Sequence, residues 1–275
     1  MCYNGFMKKK VLFTILALVL VLGVFQNRSK LKSIWLDLTK EKVPVAVEYT
    51  PDEQADKTTD PIPTSTLPKN KVDLPTTTTT AKPTTTPTAY NLAVPFTTQA
   101  PFGNWNEPFE DACEEASALM VDYYYQHKTF TQQIAKDEIL KMIDWEVKYF
   151  GVNKNLTAEE AAAILKNYLG YKKVVVIQNP TIADIKQEIL AKHPVILPAA
   201  GRLLANPYFK SPGPIYHMLV IKGFTNDKFI TNDPGTNTKG KDFMYVYDNL
   251  MKSMHSWNEQ DILQGDKKII VVYPN

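Results

Sequence analysis

A threonine- and proline-rich stretch in the first third of the chain limits what the rest can fold into. Its densest part, 74–88, contains two threonine runs separated by Pro83. Such a segment buries too little apolar surface to offset the entropy lost on ordering, and its prolines favour extended polyproline II. We therefore predict a disordered linker over 31–90 and a globular domain confined to 91–275. The linker is either a semi-rigid stalk or a tail without a positional role.

The N-terminus has the pattern of an export signal. Lys8, Lys9 and Lys10 precede an apolar run over 11–25. Fifteen helical residues span only about 22 Å, which is short for a bilayer and typical of a signal-peptide core. We predict a signal peptide or an N-terminal membrane anchor over 1–30. Either one places the domain outside the cytoplasmic membrane, secreted or anchored to the membrane through this segment.

Composition and motifs disfavour several classes of function. The chain has 275 residues, and its formal net charge of +2 is spread over interspersed charges. This distribution argues against a nucleic-acid partner. The sequence also lacks CxxC, HExxH, phosphate-loop and EF-hand patterns, so we predict neither a cofactor nor a metal site.

The globular part begins with helical patterns and continues with β-rich runs. This order predicts an α+β fold with N-terminal helices packed on an antiparallel sheet. The first helix should begin near Ala112, with Asp111 as its N-cap and Glu114 completing a capping box. The other predicted helices cover 131–145, 157–169 and the segment from Thr181 to before Pro194, and the predicted strands cover 174–177, 195–197, 215–224, 229–231, 243–247 and 269–273.

Cys113 is the cysteine of the predicted exported domain, because Cys2 precedes the apolar run. An unpaired thiol in an oxidising compartment is a candidate nucleophile. The first turn of a helix stabilises a thiolate and could also bind an oxyanion. Adjacent acids oppose this effect by raising the pKa of the thiol. The alternative is an inert, buried cysteine.

His217 is the candidate base, because it lies in the most apolar predicted strand of the chain. A polar ring buried there must have a hydrogen-bond partner. It lies eight residues before Thr225, and Asp233 lies eight residues after it. A hairpin that turns near Thr225 brings the two side chains opposite each other or nearly so. Asp233 would then orient the imidazole, with Asn232 as the competing partner. The other histidines of the domain, which we interpret as exposed or structural, are His127, His193 and His255.

These residues together resemble a known family. The segments 94–105 and 111–117, which include Gln99 and Cys113, are similar to the start of C39-like peptidase domains of the papain-like superfamily. The segments 216–224 and 230–235, with His217 and Asp233, resemble the family's histidine strand and its Asn-Asp-Pro segment. The resemblance implies a papain-like fold, a Cys-His-Asp site and an oxyanion-hole glutamine at Gln99. Two departures are the fourteen residues between Gln99 and Cys113 and the acids that follow Cys113.

The function expected from these features is that of an extracytoplasmic cysteine peptidase. Cys113 would attack a peptide or amide carbonyl and His217 would transfer the proton, while Asp233 orients the ring and Gln99 stabilises the oxyanion. The expected partner is a peptide or protein substrate, such as one of the cell envelope. Two alternatives remain open: a non-catalytic binding module on the same scaffold, and an amide-forming acyltransferase.

Overall fold

A computed structural model describes residues 41–51, 87–152 and 155–275. The predicted segment 1–30, with its apolar run, lies outside the described residues, and so does most of the predicted linker. Within the described ranges, no helix is long and apolar enough to cross a membrane.

The helices of the domain follow the predicted order, with one addition near the C-terminus. A π-helical turn, Ile164–Tyr168, extends the third helix, and 3-10 turns lie at Phe109–Asp111, Gly201–Leu204 and Ile262–Gln264. The helix after the sixth strand was not predicted. The α-helices are α1 (Cys113–Tyr125), α2 (Gln132–Phe150), α3 (Ala158–Ala163), α4 (Ile182–Leu190) and α5 (Tyr247–Ser253).

The strands form one antiparallel sheet, as predicted. Its order is β2-β7-β3-β4-β5-β6, and β1 pairs with the end of β4. Helix α1 packs against β4, which is buried along its whole length. The strands are β1 (Tyr90–Asn91), β2 (Lys173–Gln178), β3 (Val195–Ala200), β4 (Tyr216–Phe224), β5 (Lys228–Asn232), β6 (Phe243–Val246) and β7 (Lys268–Tyr273).

Helix α1 begins at Cys113, close to the predicted Ala112, but its capping differs from the prediction. Ala112 occupies the N-cap position, and no side chain caps the helix. The reason is that Asp111 is the last residue of the preceding 3-10 turn, Phe109–Asp111, and so does not occupy the N-cap position. The predicted capping box of Asp111 and Glu114 is therefore wrong, and the Glu114 carboxylate has other partners.

The later helix starts agree with the sequence signals. Thr157 and Glu160 form the predicted capping box, and the Thr131 side chain caps α2. Helix α2 runs five residues beyond the predicted end, because its stop is Gly151 in the left-handed conformation at φ 85°. Glycine adopts this conformation without the steric cost that a Cβ would impose.

The hairpin of β4 and β5 forms with Val220 opposite Asn232 and Phe224 opposite Phe229. A register shift between Ile221 and Gly223 adds one residue to β4. The ladder ends before it reaches His217, so this residue is not directly opposite Asp233. The two side chains both lie at the open end of the hairpin, as the spacing predicts.

A short segment from within the predicted linker packs on the domain. The Val47 N–H donates to the Asn91 carbonyl over 2.9 Å, and the Ala93 N–H donates to the Val47 carbonyl over 2.8 Å. The Tyr49 ring packs edge-on against Tyr125, with the ring centroids 5.0 Å apart. The described residues from Pro44 onward accordingly belong to one compact unit.

Candidate active site

His217 and Asp233 form a buried pair at the open end of the hairpin. His217 Nε2 lies 2.7 Å from Asp233 Oδ1, and neither side chain is more than 2% exposed. Among the hydrogen bonds of the described residues, none involves His217 Nδ1. A ring held through Nε2 leaves Nδ1 as the nitrogen that can exchange a proton with a reacting group.

Three further groups hold the Asp233 carboxylate. Oδ1 accepts from the Gly235 N–H over 2.9 Å, while Oδ2 accepts from the Tyr245 hydroxyl over 2.5 Å and from Asn206 Nδ2 over 3.0 Å. Burial by itself opposes ionisation of the carboxyl. The adjacent His217 imidazole and these hydrogen bonds outweigh burial and lower the pKa of Asp233. Asp233 is therefore a fixed carboxylate that can orient the ring.

The His217 ring is also confined by packing. Phe209 meets it edge-on, with the ring centroids 5.3 Å apart. On the same side, a Cβ at Gly235 would lie 2.9 Å from His217 Cε1 and 2.8 Å from Phe209 Cε1. Because real Cβ atoms do not approach other atoms so closely, the position requires glycine as long as both rings keep their places.

Cys113 is the first residue of α1 and is buried, with 3% of its surface exposed. Its Sγ donates to Glu114 Oε2 over 2.9 Å. Burial raises the pKa of the thiol, and the charges of Glu114 and Glu115 raise it further. The Met218 backbone, which faces the sulfur, opposes this rise in the pKa. Since Met218 follows His217 on β4, the sulfur lies against the strand that carries the candidate base.

The thiol and the imidazole are not hydrogen bonded to each other within the part of the chain that the structure describes. The thiol proton points to Glu114 instead. A proton could pass from the thiol to the imidazole only after the sulfur had turned from Glu114 to His217.

Gln99 links the two halves of the candidate site. Its backbone N–H donates to the Pro234 carbonyl over 3.1 Å, next to Asp233. Its side-chain Nε2 donates to the carbonyls of Phe109 and Glu110 over 3.1 and 2.7 Å, directly before α1. The oxyanion role of Gln99 stays a prediction, and it requires the amide to turn, because both hydrogens are already donated.

The other candidates from the sequence have different partners. Asn232, the competitor of Asp233, donates from its side-chain amide to the carbonyls of Val94 and Pro95 instead of to the imidazole. His193 bonds Glu188, His255 bonds the Gly265 carbonyl, and His127 is exposed and stacks on Tyr49.

Comparison with known proteins agrees with the resemblance seen in the sequence. The family model described as "Peptidase_C39 like family" matches residues 91–261, which is more than half of the chain. The chain belongs to this Peptidase C39 like family. The match spans the candidate residues Gln99, Cys113, His217 and Asp233.

A solved structure is also similar to this C39-like chain. It is the crystal structure of a protein from Bacillus anthracis that carries the description C39-like peptidase. The sequences are 17% identical, and the match covers 66% of this chain and 96% of the other, with a TM-score of 0.44. At that level the likeness adds no argument about the site. No curated protein matches the chain.

Proposed function

We propose that this C39-like protein is a cysteine peptidase whose nucleophile is Cys113 and whose base is His217. Membership of the family supports a peptidase in general. The observation that carries the specific assignment is the buried His217–Asp233 pair, with 2.7 Å between Nε2 and Oδ1. Nδ1 of the same ring has no hydrogen bond among the described residues, and His217 lies on β4, next to Met218, whose backbone faces the sulfur. This arrangement matches the requirements for a nucleophile, a base and an orienting acid.

The proposed reaction begins when the sulfur turns to His217. The thiol proton passes to Nδ1, and the thiolate attacks the substrate carbonyl to form a C–S bond. The imidazolium then returns the proton to the leaving amine as the C–N bond breaks, which leaves an acyl-enzyme. A water molecule that loses its proton to Nδ1 attacks the thioester carbonyl, the C–S bond breaks to release the carboxylic acid product, and the imidazolium returns its proton to the sulfur.

The oxyanion of the tetrahedral intermediate needs hydrogen-bond donors that can reach its negative charge. In our proposal one donor is the backbone N–H of Cys113 at the start of α1, where helix N–H groups have no partner within the helix. The second donor is Gln99, after its amide turns from the carbonyls of Phe109 and Glu110. The helix dipole adds to the stabilisation of negative charge at this end of α1.

The proposed location is outside the cytoplasmic membrane, supported by Lys8, Lys9 and Lys10 and the apolar run 11–25. The proposed substrate class is a protein or peptide of the cell envelope, since this is the material within reach of a secreted or membrane-anchored domain. No metal or organic cofactor takes part in the proposed reaction.

The experiment that tests this function compares the full chain with Cys113→Ala on a proteome-derived peptide library, with new termini identified by mass spectrometry. We expect cleavage by the parent and by Cys2→Ala, the matched control for loss of a thiol, and none by Cys113→Ala. Equal cleavage by the parent and Cys113→Ala would refute the assignment. Circular dichroism confirms that each variant is folded.

A non-catalytic binding module is the second candidate, and one observation favours it: the raised pKa of the Cys113 thiol. A binding module would retain library peptides without cutting them, and Cys113→Ala would retain them equally well. The same library therefore separates the two functions.

A further inference from the structure

The Glu114 side chain is a buried carboxylate that joins the nucleophile to a separate part of the chain. Its Oε2 accepts from Cys113 Sγ over 2.9 Å, and its Oε1 accepts from the Leu156 N–H over 3.0 Å. Only 2% of the residue is exposed. Since the residue stands next to the candidate nucleophile, its charge acts directly on the thiol.

The far end of this connection is itself fixed. The Leu156 carbonyl accepts from the Tyr216 hydroxyl over 2.7 Å. Tyr216 is buried and directly precedes His217 on β4. Both main-chain polar groups of Leu156 are thus engaged, one by Glu114 and the other by the strand of the candidate base. The Leu156 bond therefore helps to keep the Glu114 carboxylate beside the thiol.

The surroundings of the thiol are acidic, because three buried carboxyl groups lie on α1 and α2 beside it. Glu115 of α1 and Glu146 of α2 are both about 1% exposed, and each has a carboxylate oxygen without a hydrogen-bond partner. No ion pair of the described residues involves these two or Glu114. The remaining titratable groups near the site are Asp111, Tyr216, Glu160 and Glu159, which pairs with Lys268 over 2.8 Å. His217 precedes Met218 on β4.

The electrostatics agree with this geometry. Burial raises the pKa of Glu114 to about 7, and the hydrogen bonds from Cys113 and Leu156 limit that rise. A carboxylate that accepts from a thiol stabilises the protonated sulfur and opposes a second negative charge beside it. The contact therefore favours the state in which the sulfur keeps its proton.

We propose that Glu114 is a positioning residue that holds the Cys113 thiol protonated and turned away from His217 in the resting site. The nucleophile forms only when the sulfur leaves Glu114 Oε2 for His217 Nδ1, which the binding of a substrate would bring about. This inference rests on the proposed function for its meaning, but the state of the thiol is measurable without any substrate.

The test is a pH titration of thiolate ultraviolet absorbance in the full-length protein and in Glu114→Gln. Subtracting the spectrum of Cys113→Ser at each pH removes the signals of the tyrosines and of Cys2. The amide oxygen that the substitution introduces can still accept from the Leu156 N–H, so the change removes charge and keeps the shape. Glu110→Gln, at an exposed acid near α1, is the matched control.

We expect the Cys113 midpoint of the parent and of Glu110→Gln to lie above the usual value of about 8.5. Glu114→Gln should lower it by about one pH unit or more. An unchanged or higher midpoint in Glu114→Gln would overturn the inference, and so would a parent thiol already ionised below neutral pH. A parent thiol that is ionised below neutral pH would refute the role of Glu114 and leave the proposed peptidase intact. A lowered midpoint in Glu114→Gln, together with a lack of Cys113-dependent cleavage, would refute only the peptidase.

If Glu114→Gln does not fold, the same contact is tested through the titration of the Glu114 carboxyl instead of the thiol. The Glu114 carboxyl is titrated by ¹³C NMR in the parent and in Cys113→Ala. Because the thiol hydrogen bond lowers the pKa of Glu114, its loss should raise the carboxyl midpoint. An identical midpoint in the two proteins would show that the thiol and Glu114 do not interact, which would overturn the inference.

Discussion

At the scale of single residues, Asp233 shows how the candidate site is held. It accepts four hydrogen bonds while fully buried, from His217, Gly235, Tyr245 and Asn206. An ionised carboxylate in such a position is stable only when its oxygens are satisfied. The Tyr245 hydroxyl, at 2.5 Å, is the shortest of these donors, so its loss should be measurable.

Tyr245→Phe removes that donor and should raise the pKa of Asp233. A lowered carboxyl pKa contributes stability that is present above the unfolded value and is lost as the pH falls through the folded value. The variant should therefore lose about 1–2 kcal/mol of unfolding free energy at neutral pH, and less in acid. Urea unfolding across pH measures this. Tyr149→Phe, at an exposed position, should change little, and an equal loss in both variants would argue against the Asp233 contact.

The sequence predicted part of this residue-scale picture. The pairing of His217 with Asp233 follows from hairpin spacing, which is local information. Tyr245 and Asn206 could not be inferred in that way, because they reach Asp233 from β6 and from the loop after β3. The sequence predicted that the acids after Cys113 would raise the pKa of the thiol. It did not predict the hydrogen bond from Cys113 to Glu114, since nothing in the sequence shows which way the Glu114 side chain turns.

At the scale of elements, the packing of α1 on α2 buries two carboxyl groups together. Glu115 and Glu146 are nearly inaccessible, and burial raises the pKa of both, that of Glu146 to about 8. A raised carboxyl pKa contributes stability that is full below the unfolded value and is lost as the pH rises through the folded value. The domain should accordingly become less stable between about pH 5 and pH 8.

Glu146→Gln removes one of these charges and should reduce the loss of unfolding free energy between pH 5 and pH 8. We expect the variant to be more stable than the parent at pH 8 by an amount on the order of 1–3 kcal/mol, with the difference shrinking toward pH 5. Thermal and urea unfolding at several pH values give the comparison. Glu110→Gln should follow the parent. A Glu146→Gln protein that is less stable than the parent at pH 8 would show that the carboxylate is compensated in the fold.

The segment 44–51 is the second element with a testable role. Tyr49 contacts Tyr124, Tyr125 and His127, whereas Val45 is 91% exposed. Tyr49→Ala in the full chain should lower the unfolding free energy by about 1–3 kcal/mol, because aromatic burial is lost. Val45→Ala, in the same segment, should have almost no effect. Identical melting temperatures for the two variants would mean that the segment adds nothing to the domain.

Element boundaries were predictable where the signal was local. The capping residues Thr157 and Thr181 marked the starts of α3 and α4 correctly, because a cap depends on neighbouring residues. Helix α1 starts near Ala112 as predicted, but its predicted N-cap was wrong because Asp111 belongs to the preceding 3-10 turn. The contact of Val47 with Asn91 was hidden, since a segment in a polar, proline-rich context gives no sign of the partner that it pairs with.

At the scale of the whole molecule, the α+β class followed from the order of helical and β-rich patterns. The sheet order did not, because β7, the last strand of the chain, lies between β2 and β3. Such long-range pairing depends on the total packing of the sheet and leaves no local pattern. In the folded domain α1, which begins at Cys113, packs against β4, which carries His217, although the two elements lie far apart in the sequence.

The central claim is that Cys113 acts as a nucleophile with His217 as its base. The most direct measurement is peptide mapping by mass spectrometry after treatment of the full chain with a panel of peptidyl chloromethyl ketones. We predict alkylation at Cys113 that is lost in His217→Ala and kept in His193→Ala. A full chain that remains unlabelled at Cys113, or one labelled equally in His217→Ala, would contradict the account.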